Sequence, residues 1–95
     1  MATGTINKVF IVEKQEITVS GLGFNGTKKE TQLTLPTVRS GYTAYMINAL
    51  PNLSDTTHYI STYTNPNAQG KFYITHNLAS TVSSVTAYIL WVKTN

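Results

Sequence analysis

No cysteine occurs in this chain, so neither a disulfide framework nor a thiolate metal site can hold it together. Charge is scarce too: 12% of the 95 residues are charged, about half the usual share. The polar surface must therefore come from Thr, Ser and Asn. Arginine occurs once, at Arg39, and the lysines are scattered, with only Lys28 and Lys29 adjacent. The net charge of +3 thus lacks the dense basic stripe of a nucleic-acid surface, and no nucleic-acid partner is expected. No apolar run approaches the roughly 20 residues that cross a bilayer. The opening residues 1–8 show neither the basic nor the apolar region of a secretory signal. Synthesis in the cytoplasm and no membrane partner are the expectations.

What remains is apolar and β-like. Hydrophobic residues make up 41% of the chain, enough for one domain near the lower size limit for folding without staples. Residues 1–7 read as a flexible arm and 8–95 as the domain. The stretch 81–93 is free of Gly and Pro and rich in β-branched and aromatic residues. Strand alternation puts Val85, Ala87, Ile89 and Trp91 on one face and Thr86, Tyr88, Leu90 and Val92 on the other. Both faces are apolar toward the end, which predicts cover on both sides. In so small a chain, a second copy is the expected source of the outer cover.

The other segments follow the same logic. Residues 8–13 read as a buried strand, with Val9, Phe10, Ile11 and Val12 apolar in succession. Lys14 and Gln15 read as a turn or bulge before a second short strand at 16–19. Asn25-Gly26 is a hairpin signal, because both residues tolerate positive φ. Residues 30–35 alternate, with Leu33 and Leu35 inward, and Pro36 ends the run. Residues 42–50 have helix-forming Ala, Met and Leu, but Thr43, Tyr45, Ile47 and the flanking Gly41 and Pro51 favour a strand. Residues 57–64 and 71–76 complete the set. About seven strands without a convincing helix predict an all-β fold, a small antiparallel sandwich of jelly-roll or Greek-key type.

Catalytic patterns are missing. Glu13 and Glu16 are near in sequence but read as solvated strand ends rather than facing carboxylates across a cleft. His58 and His76, with Asp55, show no ligand spacing, so no metal or cofactor is expected. Residues 21–26 fit a Gly-x-Gly-x-x-Gly spacing, yet a hairpin rather than a strand and helix surrounds them. No Gly-x-Ser-x-Gly elbow exists. The expectation is therefore a protein that is not an enzyme. The Asn25 and Asn52 sequons read as turns. Tyrosines 42, 45, 59, 63, 73 and 88 read chiefly as core or subunit-interface residues, or else as contact residues beside Asn-rich loops.

Residues 4–8 (Gly-Thr-Ile-Asn-Lys), 35–42 (Leu-Pro-Thr-Val-Arg-Ser-Gly-Tyr) and 88–93 (Tyr-Ile-Leu-Trp-Val-Lys) together resemble small virion proteins of tailed bacteriophages and prophages. The likeness is to the β-sandwich tip domains of tail fibres and related appendages. It implies a virion location, a homo-oligomer that is trimeric or otherwise symmetric, other virion proteins as partners and host recognition through a surface glycan or protein. The expected oligomer interface is Tyr88, Leu90, Val92, Tyr45 and Ile47. The expected ligand contacts are Asn25, Asn52, Asp55, Tyr59, Tyr63, Asn65, Asn67 and Tyr73, carried by loops 21–27, 52–55 and 65–70. The alternative is a monomeric carbohydrate-binding, lectin-like module with Tyr59, Tyr63 and Tyr73 as a stacking platform.

Overall fold

The computed structural model describes residues 9–20, 29–52, 57–79 and 81–94. The strands are β1 (Phe10–Thr18), β2 (Lys29–Thr34), β3 (Tyr42–Pro51), β4 (Ile60–Tyr63), β5 (Lys71–His76) and β6 (Ser84–Lys93). They form two antiparallel sheets of three strands, ordered β1-β6-β3 and β2-β5-β4. The sheets pack face to face as a sandwich. The inner face of β6 supplies Val85, Ala87, Ile89 and Trp91, and the opposite sheet supplies Leu33, Phe72 and Ile74. Full burial of one such large apolar side chain stabilises the fold by about 1.5–3 kcal/mol. Residues 42–50 are strand, as Thr43, Tyr45 and Ile47 lead one to expect.

The strand count is six among the described residues, where the sequence suggests about seven. The difference lies in β1. Lys14 and Gln15 form neither turn nor bulge: β1 pairs with β6 without a register break from Phe10 to Thr18. What interrupts the apolar pattern is a pair of polar residues, Glu13 and Gln15, at inward positions. The buried reading of residues 8–13 holds for Ile11, which packs against the core, but not for its apolar neighbours. Phe10 and Val12 are 63% and 68% exposed, and Val9 is exposed with them. The stretch 57–64 shortens to β4 (Ile60–Tyr63), and a register shift between Ile60 and Thr62 interrupts its pairing with β5. Ser61 Oγ donates to the Thr75 carbonyl at that irregularity (3.0 Å). The arm at 1–7 and the Asn25-Gly26 hairpin lie outside the described residues.

Two connections brace the sandwich. Residues 35–41 cross from β2 in one sheet to β3 in the other. Gly70 closes the 65–70 loop with φ of +81°, and a Cβ placed there would lie 2.9 Å from Val38 Cγ2 on that crossover. Leu35 N–H donates to the Gly70 carbonyl (2.9 Å) and ties the two loops together. The outer edge of β3 is bulged between Met46 and Asn48, as edges often are. There Asn65 Oδ1 accepts from Met46 N–H and Tyr63 Oη donates to the Ile47 carbonyl, both at 2.9 Å. These bonds clasp the two sheets at one side.

Candidate functional site

The outer face of the β1-β6-β3 sheet carries the largest group of exposed apolar side chains. Register sets Val92 between Phe10 and Thr43, and Leu90 between Val12 and Tyr45. Tyr88 follows between Lys14 and Asn48. Ile47 stands exposed at the bulge. The five residues expected at an oligomer interface, Tyr45, Ile47, Tyr88, Leu90 and Val92, are thus brought onto one sheet of three strands. Phe10 and Val12 extend the patch, a contribution that the expected burial of residues 8–13 conceals. The opposite end of the same face is mostly polar, with exposed Leu50 opposite Thr86: Asn52 Nδ2 donates to Glu16 Oε2 (3.1 Å) and to Ser84 Oγ (2.6 Å), and Thr86 Oγ1 donates to Asn52 Oδ1 (2.9 Å).

The inner face of β1 holds the most connected polar group. Glu13 Oε1 accepts from Trp91 Nε1 (2.8 Å) and from Gln15 Nε2 (2.9 Å), and its Oε2 accepts from Arg39 Nη2 (3.2 Å). Gln15 also exchanges two bonds with the Thr37 backbone, 3.0 and 3.1 Å. Burial pushes the Glu13 carboxyl up, but the hydrogen bonds from Gln15 and Trp91 and the Arg39 guanidinium outweigh it and hold the group below its ordinary 4.5. Such a carboxylate is ionised at neutral pH and its donors are already in place, so it anchors the crossover. Glu13 and Glu16 sit on opposite faces of β1 and do not face one another. Beside this group lies a cleft of about 450 Å³, lined by Arg39, Tyr42, Trp91 and residues 66–68. Arg39 Nε is buried and has no partner among the described residues.

The expected ligand contacts scatter. Asn25 and Asp55 lie outside the described residues. Asn52, Tyr63 and Asn65 are engaged internally, with Glu16, the Ile47 carbonyl and Met46 N–H respectively. Asn67 Oδ1 accepts from the Gln69 and Lys71 N–H groups (2.9 and 3.0 Å) and shapes the loop into its turn. Tyr59 and Tyr73 are both partly exposed. Tyr73 sits opposite Gln32 on the outer face of its sheet, whereas Tyr63 pairs with the buried Ile74. The three tyrosines of the stacking platform therefore do not share a face.

No family model, curated protein or solved structure matches this chain.

His76 is the remaining titratable group of note. It is fully buried. Leu78 N–H donates to its Nδ1 (3.0 Å), so the ring proton sits on Nε2, facing Thr31 Oγ1 at 2.8 Å. Burial, then the charge of Lys29, hold its pKa below the ordinary 6.5. Both ring nitrogens are occupied by these bonds. Among the described residues no three of His, Cys, Asp and Glu are placed to hold a metal ion.

Proposed function

We propose that this chain is a non-enzymatic structural protein of a phage or prophage particle, a tail-fibre, head-fibre or capsid-surface component. It assembles with copies of itself through the outer face of the β1-β6-β3 sheet. The observation that carries the reading is the patch of Phe10, Val12, Tyr45 and Ile47, apolar and exposed in a single copy, with half-buried Leu90 set among them. Contiguous exposed apolar area on a small protein marks an interaction surface. Covering it gains about 25 cal/mol per Å² removed from water. The virion assignment rests on the resemblance of residues 4–8, 35–42 and 88–93, which implies a trimer or another symmetric assembly. Repetition in such an assembly turns a weak host-surface contact, to a glycan or a protein, into an avid one.

Light-scattering mass of the purified protein tests this. The expected result is a stable oligomer whose mass falls when Leu90, set between Val12 and Tyr45, is changed to Asp. A one-chain mass at high concentration would refute self-assembly. That outcome would favour the alternative, a monomeric carbohydrate-binding module, for which Tyr59 and Tyr73 are the exposed rings.

A further inference from the structure

Among the described residues, nothing pairs with the outer edge of β1, which carries a row of backbone groups. Lys93 N–H donates to the Val9 carbonyl at one end of β1, and Val19 N–H donates to the Ser83 carbonyl at the other, each 2.9 Å. The register between these points is unbroken. In an antiparallel ladder, alternate residues turn both N–H and C=O to the partner. The odd-numbered residues of β1 therefore bond to β6. Phe10, Val12, Lys14, Glu16 and Thr18 turn their backbone groups the other way, where no described residue meets them. The far edge of the same sheet differs, since β3 is bulged and its groups are taken by Tyr63 and Asn65. The edges of the second sheet, β2 and β4, are only six and four residues long. A long, unbulged edge with exposed apolar side chains is a template for another strand.

We propose that β1 pairs antiparallel with β1 of a second copy, about a two-fold axis at Gln15, with Lys14 opposite Glu16 of the partner subunit. The pairing rests on the reading that the chain self-associates, and adds to the outer-face contact a second one at the β1 edge with a stated register. Charge selects the register. An axis at Lys14 would set two lysines directly opposite each other, and an axis at Glu16 would do the same to two glutamates. The axis at Gln15 sets Lys14 against a glutamate on both sides of the centre. Opposite charges directly across a ladder stabilise it and like charges destabilise it. A lysine on an edge strand ordinarily deters pairing. Here its charge is answered by Glu16, two residues along the same strand. An axis of this kind makes the contact isologous, so each β1 edge is used up by one partner. The copies are then even in number, and a mass of three copies would count against the pairing. The result is a six-stranded sheet in which the apolar ends of the two outer faces lie diagonally across the axis, Val12 beside Thr18 of the partner subunit.

The absence of native cysteine makes the register directly readable. Residues opposite each other in a hydrogen-bonded pair lie about 5.5 Å apart at Cα, inside the roughly 4.4–6.8 Å that a disulfide spans. Lys14→Cys and Glu16→Cys are made as separate proteins, one carrying a tag that shifts its mass. Mild oxidation of the mixture is expected to give the mixed disulfide dimer, with neither protein linking to itself. Lys14→Cys linking to itself would overturn the register. No linkage in any tube, while Leu90→Asp still lowers the oligomer mass, would overturn edge pairing and leave self-association standing. A one-chain mass with no linkage would overturn both. Val12→Pro is the second variant: it deletes an N–H that points away from β6 and so spares the internal ladder. It is expected to weaken association by about tenfold or more, roughly 1.4 kcal/mol, with an unchanged far-UV spectrum. Undiminished association would count against the edge.

Discussion

Changing Glu13 to Ala removes three donors' common acceptor at once. The largest loss is at Trp91, which is 1% exposed and whose Nε1–H then has no partner. An unsatisfied buried donor costs about 1–3 kcal/mol. The ion pair to Arg39 adds less, because the side chains are 40% and 26% exposed, and such pairs contribute about 0.2–1 kcal/mol. Gln15 keeps its bonds to Thr37, so no further term enters. The expected cost is about 1–4 kcal/mol, against less than about 1 kcal/mol for Arg39→Ala. Urea unfolding at pH 7 and one fixed protein concentration measures both. The same carboxylate also predicts a pH dependence. Its folded pKa lies below 4.5, so its stabilisation is complete above pH 4.5 and is lost as pH falls through the folded value. Glu13→Gln keeps an acceptor for Trp91 but carries no charge, and should abolish that slope. A Glu13→Ala cost within about 0.5 kcal/mol of zero, the ordinary range of surface changes, would refute the anchoring role. So would an equal cost for Arg39→Ala.

Two further outcomes concern the interior. His76 has a folded pKa below its unfolded 6.5, so it leaves stability unchanged above pH 6.5 and lowers it as pH falls from 6.5 toward the folded value. Denaturant melts between pH 7 and 5 should show the decline and His76→Gln should flatten it; a wild-type profile flat over that range would contradict the buried neutral ring. Gly70→Ala faces both positive φ and a 2.9 Å contact with Val38, whereas Gly41, also at φ +81°, has nothing within 4 Å. Thermal melts should show Gly70→Ala costing more than Gly41→Ala, the latter near the roughly 1–2 kcal/mol of the left-handed conformation alone, and equal costs would refute the close approach.

The legible parts of this fold are those where burial follows strand alternation. β6 could be read because its four inward residues are all apolar and its neighbours on both sides are strands. β5 could be read because Phe72 and Ile74 alternate with Lys71 and Tyr73. The opaque part is β1, where the inward row includes Glu13 and Gln15. Those residues satisfy one another through Trp91, Arg39 and Thr37, partners up to 78 residues away along the chain, and no local pattern announces such a network. The same confusion hid Phe10 and Val12, whose outward position emerges only once β1 is taken as continuous. Tyr63, Asn65 and Asn67 looked like contact residues because loop asparagines and tyrosines suit recognition. They are instead spent on backbone groups of a bulged edge and a turn, which could not be known without the pairing of β3 and β4.

The place of β6 has a consequence for biosynthesis. It is made after the five other described strands, yet it stands in the middle of its sheet, between β1 and β3. Until it emerges, the two flanking strands have no ladder to join, and the greasy underside of the partner sheet has nothing to rest on. The nascent chain is thus committed to waiting, and an interruption of translation before Ser84 would leave half a sandwich for the quality-control machinery to clear.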